Sequence, residues 1–242
     1  MTPAPTQLLH KVIISAMPIE TAAILEHAVE IKKVDLATVS YHVAKVGTEF
    51  CAIFTSGIGQ GYAAATTMLA IHLFNPAYLI FVGIAGTPHT HLTVGDVILG
   101  ERVFSADLLR FTEAGELIQP DCKHGDQPPA YIDAEQLSQQ QLQKLSFSNF
   151  SVTQGMVATS DQFPLSPSMP VKLENKSVDA VDMESFAFAQ ICHKFNKPFS
   201  IVRGLSNYVK IGNAERFKIA PDAIQLASDN AAKVAAKLID LI

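Results

Sequence analysis

The sequence has no tryptophan and only three cysteines. Cys51, Cys122 and Cys192 are odd in number and widely spaced. They offer neither a disulfide framework nor the paired spacing of a cysteine zinc site, so a reducing cytoplasm is the expected compartment. Long apolar runs are missing as well. The first, Val12 to Met17, falls far short of the roughly 20 residues that a membrane span requires. The stretch before it lacks the charged start, long apolar segment and small-residue cleavage site of a signal peptide. There is no basic excess either. The net charge is −5, with Lys and Arg scattered, which argues against nucleic acid or an anionic membrane as the main partner. An acidic small molecule stays admissible, since one or two local cations suffice to bind it.

What is present is apolar bulk: 48% of the 242 residues are hydrophobic, enough to bury one sizeable core. No internal repeat or low-complexity block divides the chain, and a single domain over 1–242 is expected. Apolar runs bounded by Gly, Pro or polar residues alternate with amphipathic stretches. Strands are expected at Lys11–Ala16, Val39–Val46, Phe50–Thr55, Tyr78–Val82, Val94–Phe104, Ser151–Ala158 and Phe199–Leu205. Helices are expected at Thr21–Val29, Gly61–Phe74, Gln136–Leu145, Asp182–Phe195 and Pro221–Ile242, with Ser177–Val181 leading into the fourth. Ala106–Pro129 reads as a long loop of the kind that often closes over a site. The alternation predicts an α/β fold, a mixed and mostly parallel central sheet flanked by helices. Ligands of such sheets bind beyond the carboxyl ends of the strands.

Several polar or Gly-rich clusters fall just where these strands end: Ala16-Met17-Pro18-Ile19-Glu20, Ser56-Gly57-Ile58-Gly59, Gly83-Ile84-Ala85-Gly86, Thr159-Ser160-Asp161-Gln162-Phe163, Asp182-Met183-Glu184 and Arg203-Gly204-Leu205-Ser206-Asn207. One glycine turn is weak evidence, because glycine also serves ordinary tight turns. Six clusters at strand ends point to one shared pocket.

The segments SGIGQGYAAATTMLAIHLFNPAYLIFVGIAG, TVGDVIL, TSDQF, VDMES and IVRGLSNYV follow one another in an order and spacing that resembles the methylthioadenosine/S-adenosylhomocysteine nucleosidases and their relatives in the nucleoside phosphorylase superfamily. The resemblance runs from about Val12 to the terminal helix. It implies an N-glycoside hydrolase acting on a purine nucleoside, without cofactor or metal, and a homodimer or higher homo-oligomer.

The resemblance implies the following roles. Glu20 stands where these enzymes carry the acid that activates water. Cleaving an N-glycosidic bond passes through a cationic sugar, so a carboxylate there both orients water and stabilises charge. Taken alone, Glu20 reads as an acid opening a helix, where its charge suits the dipole. Met183 and Glu184 match the pair that holds ribose: a carboxylate accepts hydrogen bonds from two hydroxyls, and a thioether packs on the apolar face of the sugar. Without the resemblance, this pair is a buried Met beside an acid at a helix start. Phe163 matches the aromatic residue that stacks on the purine, although an isolated Phe is more often core. Ile58, Ala85 and Gly86 are expected to line the pocket by close backbone approach. Phe81 and Ile84 occupy positions where phosphorolytic members carry anion ligands, and Glu20 adds negative charge, so water rather than phosphate is the expected nucleophile.

The informative departure is Asn207, next to Ser206. The methylthioadenosine nucleosidases carry Asp there, which protonates a leaving adenine. Asn cannot act as that acid, but its amide donates to a 6-oxo group and to N7, whose lone pairs a carboxylate would repel. SNYV followed by IGNAERFKIAPDAI resembles the futalosine hydrolases, the branch that releases hypoxanthine. A nucleosidase that tolerates Asn and acts on 6-amino nucleosides is the alternative within the class. A non-catalytic nucleoside-binding module is the alternative outside it, disfavoured by the joint presence of Glu20 and Glu184. Arg110, Lys210, Arg216 and Lys218 are candidates to meet a distal carboxylate on the substrate. His89 and His91 share a strand face but have no third ligand within reach, so a metal is not expected. His193 reads as an ordinary helical residue.

Overall fold

The computed structural model describes residues 9–36, 39–107, 110–111, 117–118, 129–163, 165–166, 169–209 and 219–242. Alternating burial along the strands builds the molecule. In β1 (Lys11–Ser15), Val12 and Ile14 face one core while Ile13 faces another. The same division separates Ala52 and Phe54 from Cys51 and Ile53 in β4 (Glu49–Thr55), and Leu79 and Phe81 from Tyr78 and Ile80 in β5 (Tyr78–Thr87). Strands apolar on both faces must be covered on both. On one side lie α2 (Gln60–Phe74) and α5 (Ser185–Lys194); on the other lie α1 (Pro18–Leu25) and α6 (Pro221–Ile239).

The sheet runs β11-β10-β6-β12-β5-β1-β4-β3-β2, where β2 is Ala28–Leu36, β3 Val39–Val46, β6 Val97–Ser105, β10 Val152–Thr159, β11 Val178–Asp182 and β12 Phe199–Tyr208. Its central strands β12, β5, β1 and β4 pair in parallel, as do β6, β10 and β11; antiparallel pairs lie at the β2–β3–β4 edge and between β12 and β6. An antiparallel pairing of Val181 with Gly86 joins β11 back to β5, closing five strands into a ring. A short β9 (Ile132–Asp133) pairs with β6, and the remaining elements are β7 (Arg110–Phe111), β8 (Leu117–Ile118), α3 (Gln139–Lys144) and α4 (Met169–Asn175). Among the described residues, no helix is long and apolar enough to cross a membrane.

Two expectations shift. The first helix begins at Pro18 and ends at Leu25, and Ala28–Leu36 is a charged edge strand rather than the end of that helix. Charges on such an edge discourage pairing with another chain. The strands expected to stop at Val82 and Leu205 continue to Thr87 and Tyr208. Most of the expected loop 106–129 lies outside the described residues.

Candidate functional site

The strand extensions bring the six clusters together. All nine residues singled out above (Glu20, Ile58, Ala85, Gly86, Phe163, Met183, Glu184, Ser206 and Asn207) lie on the wall of one cavity of about 230 Å³ beyond the strand ends. Met17, Ile84, Asp182, Ile219 and Ile224 share that wall, so the start of α6 also contributes to it.

Glu20, in the first turn of α1, is 2% exposed. Its Oε2 accepts the backbone N–H groups of Ala16 and Met17, each at 2.8 Å, and its Oε1 accepts that of Ile84, also at 2.8 Å. Three of roughly four acceptor sites are therefore filled, and the remaining one belongs to Oε1. Burial pushes the Glu20 pKa up, while the charge of Arg203 and the three backbone donors pull it back.

Glu184 precedes α5 and is 4% exposed. Its Oε1 accepts the Gly59 N–H at 2.8 Å, and its Oε2 lies 3.8 Å from Arg203 Nη2. Burial raises its pKa to about 7; Arg203 and the Gly59 amide oppose the shift, and the charges of Asp182 and Glu20 add to it.

Arg203 was visible in the sequence only as a member of a strand-end cluster, yet it is the centre of this site. It is fully buried, with Nη2 2.6 Å from Asp182 Oδ2 and both Nε and Nη2 donating to Ser185 Oγ. Its guanidinium lies over the Phe81 ring, 4.6 Å from the centroid, a favourable place for a cation. Asp182 holds the assembly: it accepts from Thr159 Oγ1 at 2.6 Å, from the Ser185 hydroxyl and from the amides that open α5. Nη1 of Arg203 has no partner among the described residues. A methyl placed on Gly83 would lie 2.4 Å from that nitrogen and 2.6 Å from Glu20 Oε1. Gly83 thus lets the Arg203 guanidinium and the Glu20 carboxylate pack close to its backbone, where a side chain would displace both. An Arg inside an otherwise apolar strand was the signal available, because a buried charge requires buried partners.

At the other end of the cavity the Ser206 hydroxyl donates to Asn207 Oδ1 at 2.9 Å and lies 3.2 Å from the Ala85 carbonyl. With Oδ1 so engaged, Nδ2 is the donor end of this amide. Gly86 makes room for the Val209 side chain and, less tightly, for that amide, since a methyl there would sit 2.4 Å from Val209 Cγ1 and 3.1 Å from Nδ2. Phe163 is 55% exposed and Ile58 53%, both at the mouth. Ile84 turns an apolar side chain toward the cavity, and Phe81 lies buried beneath Arg203. His89 and His91 stand with ring centroids 5.0 Å apart; among the described residues no group of three or more His, Cys, Asp and Glu could hold a metal. His193 is exposed on α5. Lys210, Arg216, Lys218 and the side chain of Arg110 lie outside the described residues, as does Cys122.

The closed strand ring and this cavity set buried carboxylates at the carboxyl ends of an α/β sheet, where such sheets bind small molecules. The chain belongs to the phosphorylase superfamily, whose sequence model matches residues 10–240. It is 32% identical over 213 residues to the 5'-methylthioadenosine/S-adenosylhomocysteine nucleosidase of Hydrogenovibrio crunogenus, covering 85% of this chain and 88% of that one. To the enzyme of the same name from Glaesserella parasuis it is 28% identical, covering 94% and 97%. Among solved structures, the nucleosidase of that name from Neisseria meningitidis, in complex with methylthio-immucillin-A, superposes with a TM-score of 0.81 at 26% identity, covering 97% of this chain and 100% of that one. The futalosine hydrolase of Helicobacter pylori shares the fold, with a TM-score of 0.79 at 20% identity and coverage of 97% and 99%. The chain is an N-glycoside hydrolase.

Proposed function

We propose that the substrate is a 6-oxopurine nucleoside, and specifically futalosine, hydrolysed to hypoxanthine and dehypoxanthine futalosine on the route to menaquinone. The observation that carries this reading is Asn207 on the cavity wall with its Oδ1 engaged by the Ser206 hydroxyl, so that the amide has only donor hydrogens to offer a base. A 6-oxopurine offers acceptors at O6 and N7, and the amide is a donor there. Adenine presents a donor at the same edge and needs N7 protonated before it leaves, which an amide cannot do.

The chemistry follows from the buried charges. A water in the cavity donates to the acceptor site of Glu20 Oε1 that the backbone leaves open. As the C1′–N9 bond breaks, the electron pair passes to the base, the water oxygen bonds to C1′ and its proton moves to Glu20. Glu20, Glu184 and Asp182 surround the cationic sugar with negative charge in a dry site, where such fields act strongly. Glu184 accepts the ribose hydroxyls, Met183 covers the sugar and Phe163 stacks on the base. The Ile84 side chain and the Glu20 charge disfavour phosphate in place of water.

Incubation with futalosine, inosine, methylthioadenosine and aminodeoxyfutalosine, each with and without phosphate, tests this reading by chromatography of the released base. Hypoxanthine from futalosine, unchanged by phosphate, is the expected result. A higher kcat/KM for methylthioadenosine or aminodeoxyfutalosine would install the second reading, which the names of the relatives favour. A sugar 1-phosphate would overturn water as the nucleophile.

A further inference from the structure

The amide that holds Glu184 belongs to Gly59, just before α2, at φ 104°. Glycine has wide backbone freedom in this region, so local preference does not fix the direction of that N–H. The adjoining residue is fixed from outside. Gln60 donates its backbone N–H to Asp161 Oδ1 at 3.1 Å and its Nε2 to Asp161 Oδ2 at 3.0 Å. Asp161 is held in turn: its N–H donates to Asp107 Oδ2 at 2.6 Å, and the neighbouring Ser160 hydroxyl donates to Asp107 Oδ1 at 2.7 Å. A carboxylate at a helix start is commonplace, as an acceptor for free amides and a match for the dipole. This one differs in what it joins. It binds the turn carrying Phe163 to the turn carrying Ile58 and Gly59, and through Gly59 it reaches Glu184.

We propose that Asp161 is a positioning residue for the sugar-binding carboxylate. Glu184 is drawn two ways, its Oε1 toward the Gly59 amide and its Oε2 toward Arg203 Nη2 at 3.8 Å. With the Gly59 amide fixed, the carboxylate stays at the cavity wall. With the amide loose, the Arg203 charge draws Glu184 into a closer ion pair and away from the sugar hydroxyls. Asp161 therefore sets preference for a ribose over a deoxyribose without touching either. This rests on the reading of Glu184 as the acceptor of ribose hydroxyls.

The test measures kcat/KM for whichever of futalosine or methylthioadenosine the wild type cleaves, and for its 2′-deoxy counterpart, on D161A, D161N, E184Q and D161A/E184Q. D161A is expected to lose roughly tenfold on the ribonucleoside, mainly through KM, the scale of one charge-assisted hydrogen bond. The loss should be clearly smaller, about threefold, on the 2′-deoxy substrate, which offers Glu184 one hydroxyl instead of two. D161N keeps an acceptor for the Gln60 N–H and should recover most of the loss. D161A/E184Q should fall no lower than E184Q, because the two act on one interaction. Equal losses on both substrates in D161A, beside a discriminating E184Q, would reduce Asp161 to a structural cap. An E184Q that does not discriminate would overturn the Glu184 reading and the clamp with it.

Discussion

Glu20 and Glu184 are both carboxylates buried beside one guanidinium, yet they are held differently. Glu20 takes three backbone donors, which fix its position and restrain the rise in its pKa. Glu184 takes one and shares Arg203 with Asp182, whose ion pair is the shorter, and its pKa reaches about 7. The consequence for stability has a definite sign. Between the ordinary value of 4.5 and about 7, the folded chain keeps a proton on Glu184 that the unfolded chain releases. The unfolded state then binds fewer protons, so stability falls as pH rises through this window. Glutamine cannot titrate, and Glu184→Gln is expected to flatten the Tm profile between pH 4.5 and about 7. A residual slope of the same sign should remain, since burial raises Glu20 too. If Glu184 accepts the ribose hydroxyls as proposed, ribose affinity should run the other way in the wild type, improving as Glu184 ionises and gains acceptor capacity. Thermal melts across this range, with KM beside them, check both; a Tm profile unchanged by the substitution would remove Glu184 as the titrating group.

Strand register places the central chemistry. Arg203 on β12 is the register partner of Gly83 on β5, so the guanidinium reaches across a neighbour without a side chain. One strand position further, Gly204 packs on α6, where a methyl would lie 2.0 Å from the Ala227 carbonyl oxygen. These glycines make a contrasting pair. Gly83→Ala presses on the ends of two side chains, which can give way, and is expected to fold while losing about 10²–10⁴ in kcat, the scale of a displaced general base. Gly204→Ala presses on backbone, which cannot give way, and should cost stability at or above the upper end of the ~1–3 kcal/mol typical of overpacking. Melting curves and turnover on both variants decide this; a Gly83→Ala enzyme of full activity would show that turnover does not depend on the exact placement of Glu20. Much of this level could be read from sequence, because apolar runs ending in Gly-rich or acidic clusters are what strands feeding a pocket look like. The clusters that hold Glu20, Glu184 and Asn207 were placed that way, and the resemblance gave those three their expected roles. The extensions of β5 past Val82 and of β12 past Leu205 were not, since small and polar residues at a strand end look like loop. Nor was β2, whose charges at Glu30, Lys32, Lys33 and Asp35 break the apolar pattern. Pro18 marks the first position of α1 and was a usable start signal.

At the scale of the molecule, α2 stands out. Ala63, Thr67, Ala70 and Ile71 bury one side of it against the sheet, yet the opposite side carries Tyr62, Ala65 and Met68 in the open at three-residue spacing. Tyr62 is 65% exposed and Met68 40%, and Ile58 precedes them at the cavity mouth. A helix apolar around its whole circumference belongs inside a larger structure, because only the core-facing stripe of a surface helix gains by being apolar. Contiguous exposed apolar surface of this kind marks an association site. A second copy of the chain is the expected cover. Closed twofold pairing sets the same patch against itself, so α2 would meet α2 and no new partner chemistry is required. Stable association of this sort buries about 800 Å² per partner, more than one helix face offers, so neighbouring loops must join it. Because the stripe begins beside Ile58, such a dimer would wall the open side of the cavity and dry it, strengthening the charges at work inside. Sedimentation at micromolar concentration is expected to give twice the 26.1 kDa chain mass. Tyr62→Glu with Met68→Glu should return the single-chain mass and raise KM, since two like charges facing their copies across an apolar seam repel and must be desolvated. A wild type that sediments as one chain, with substrate present, would leave α2 an exposed apolar helix and the cavity complete within one chain.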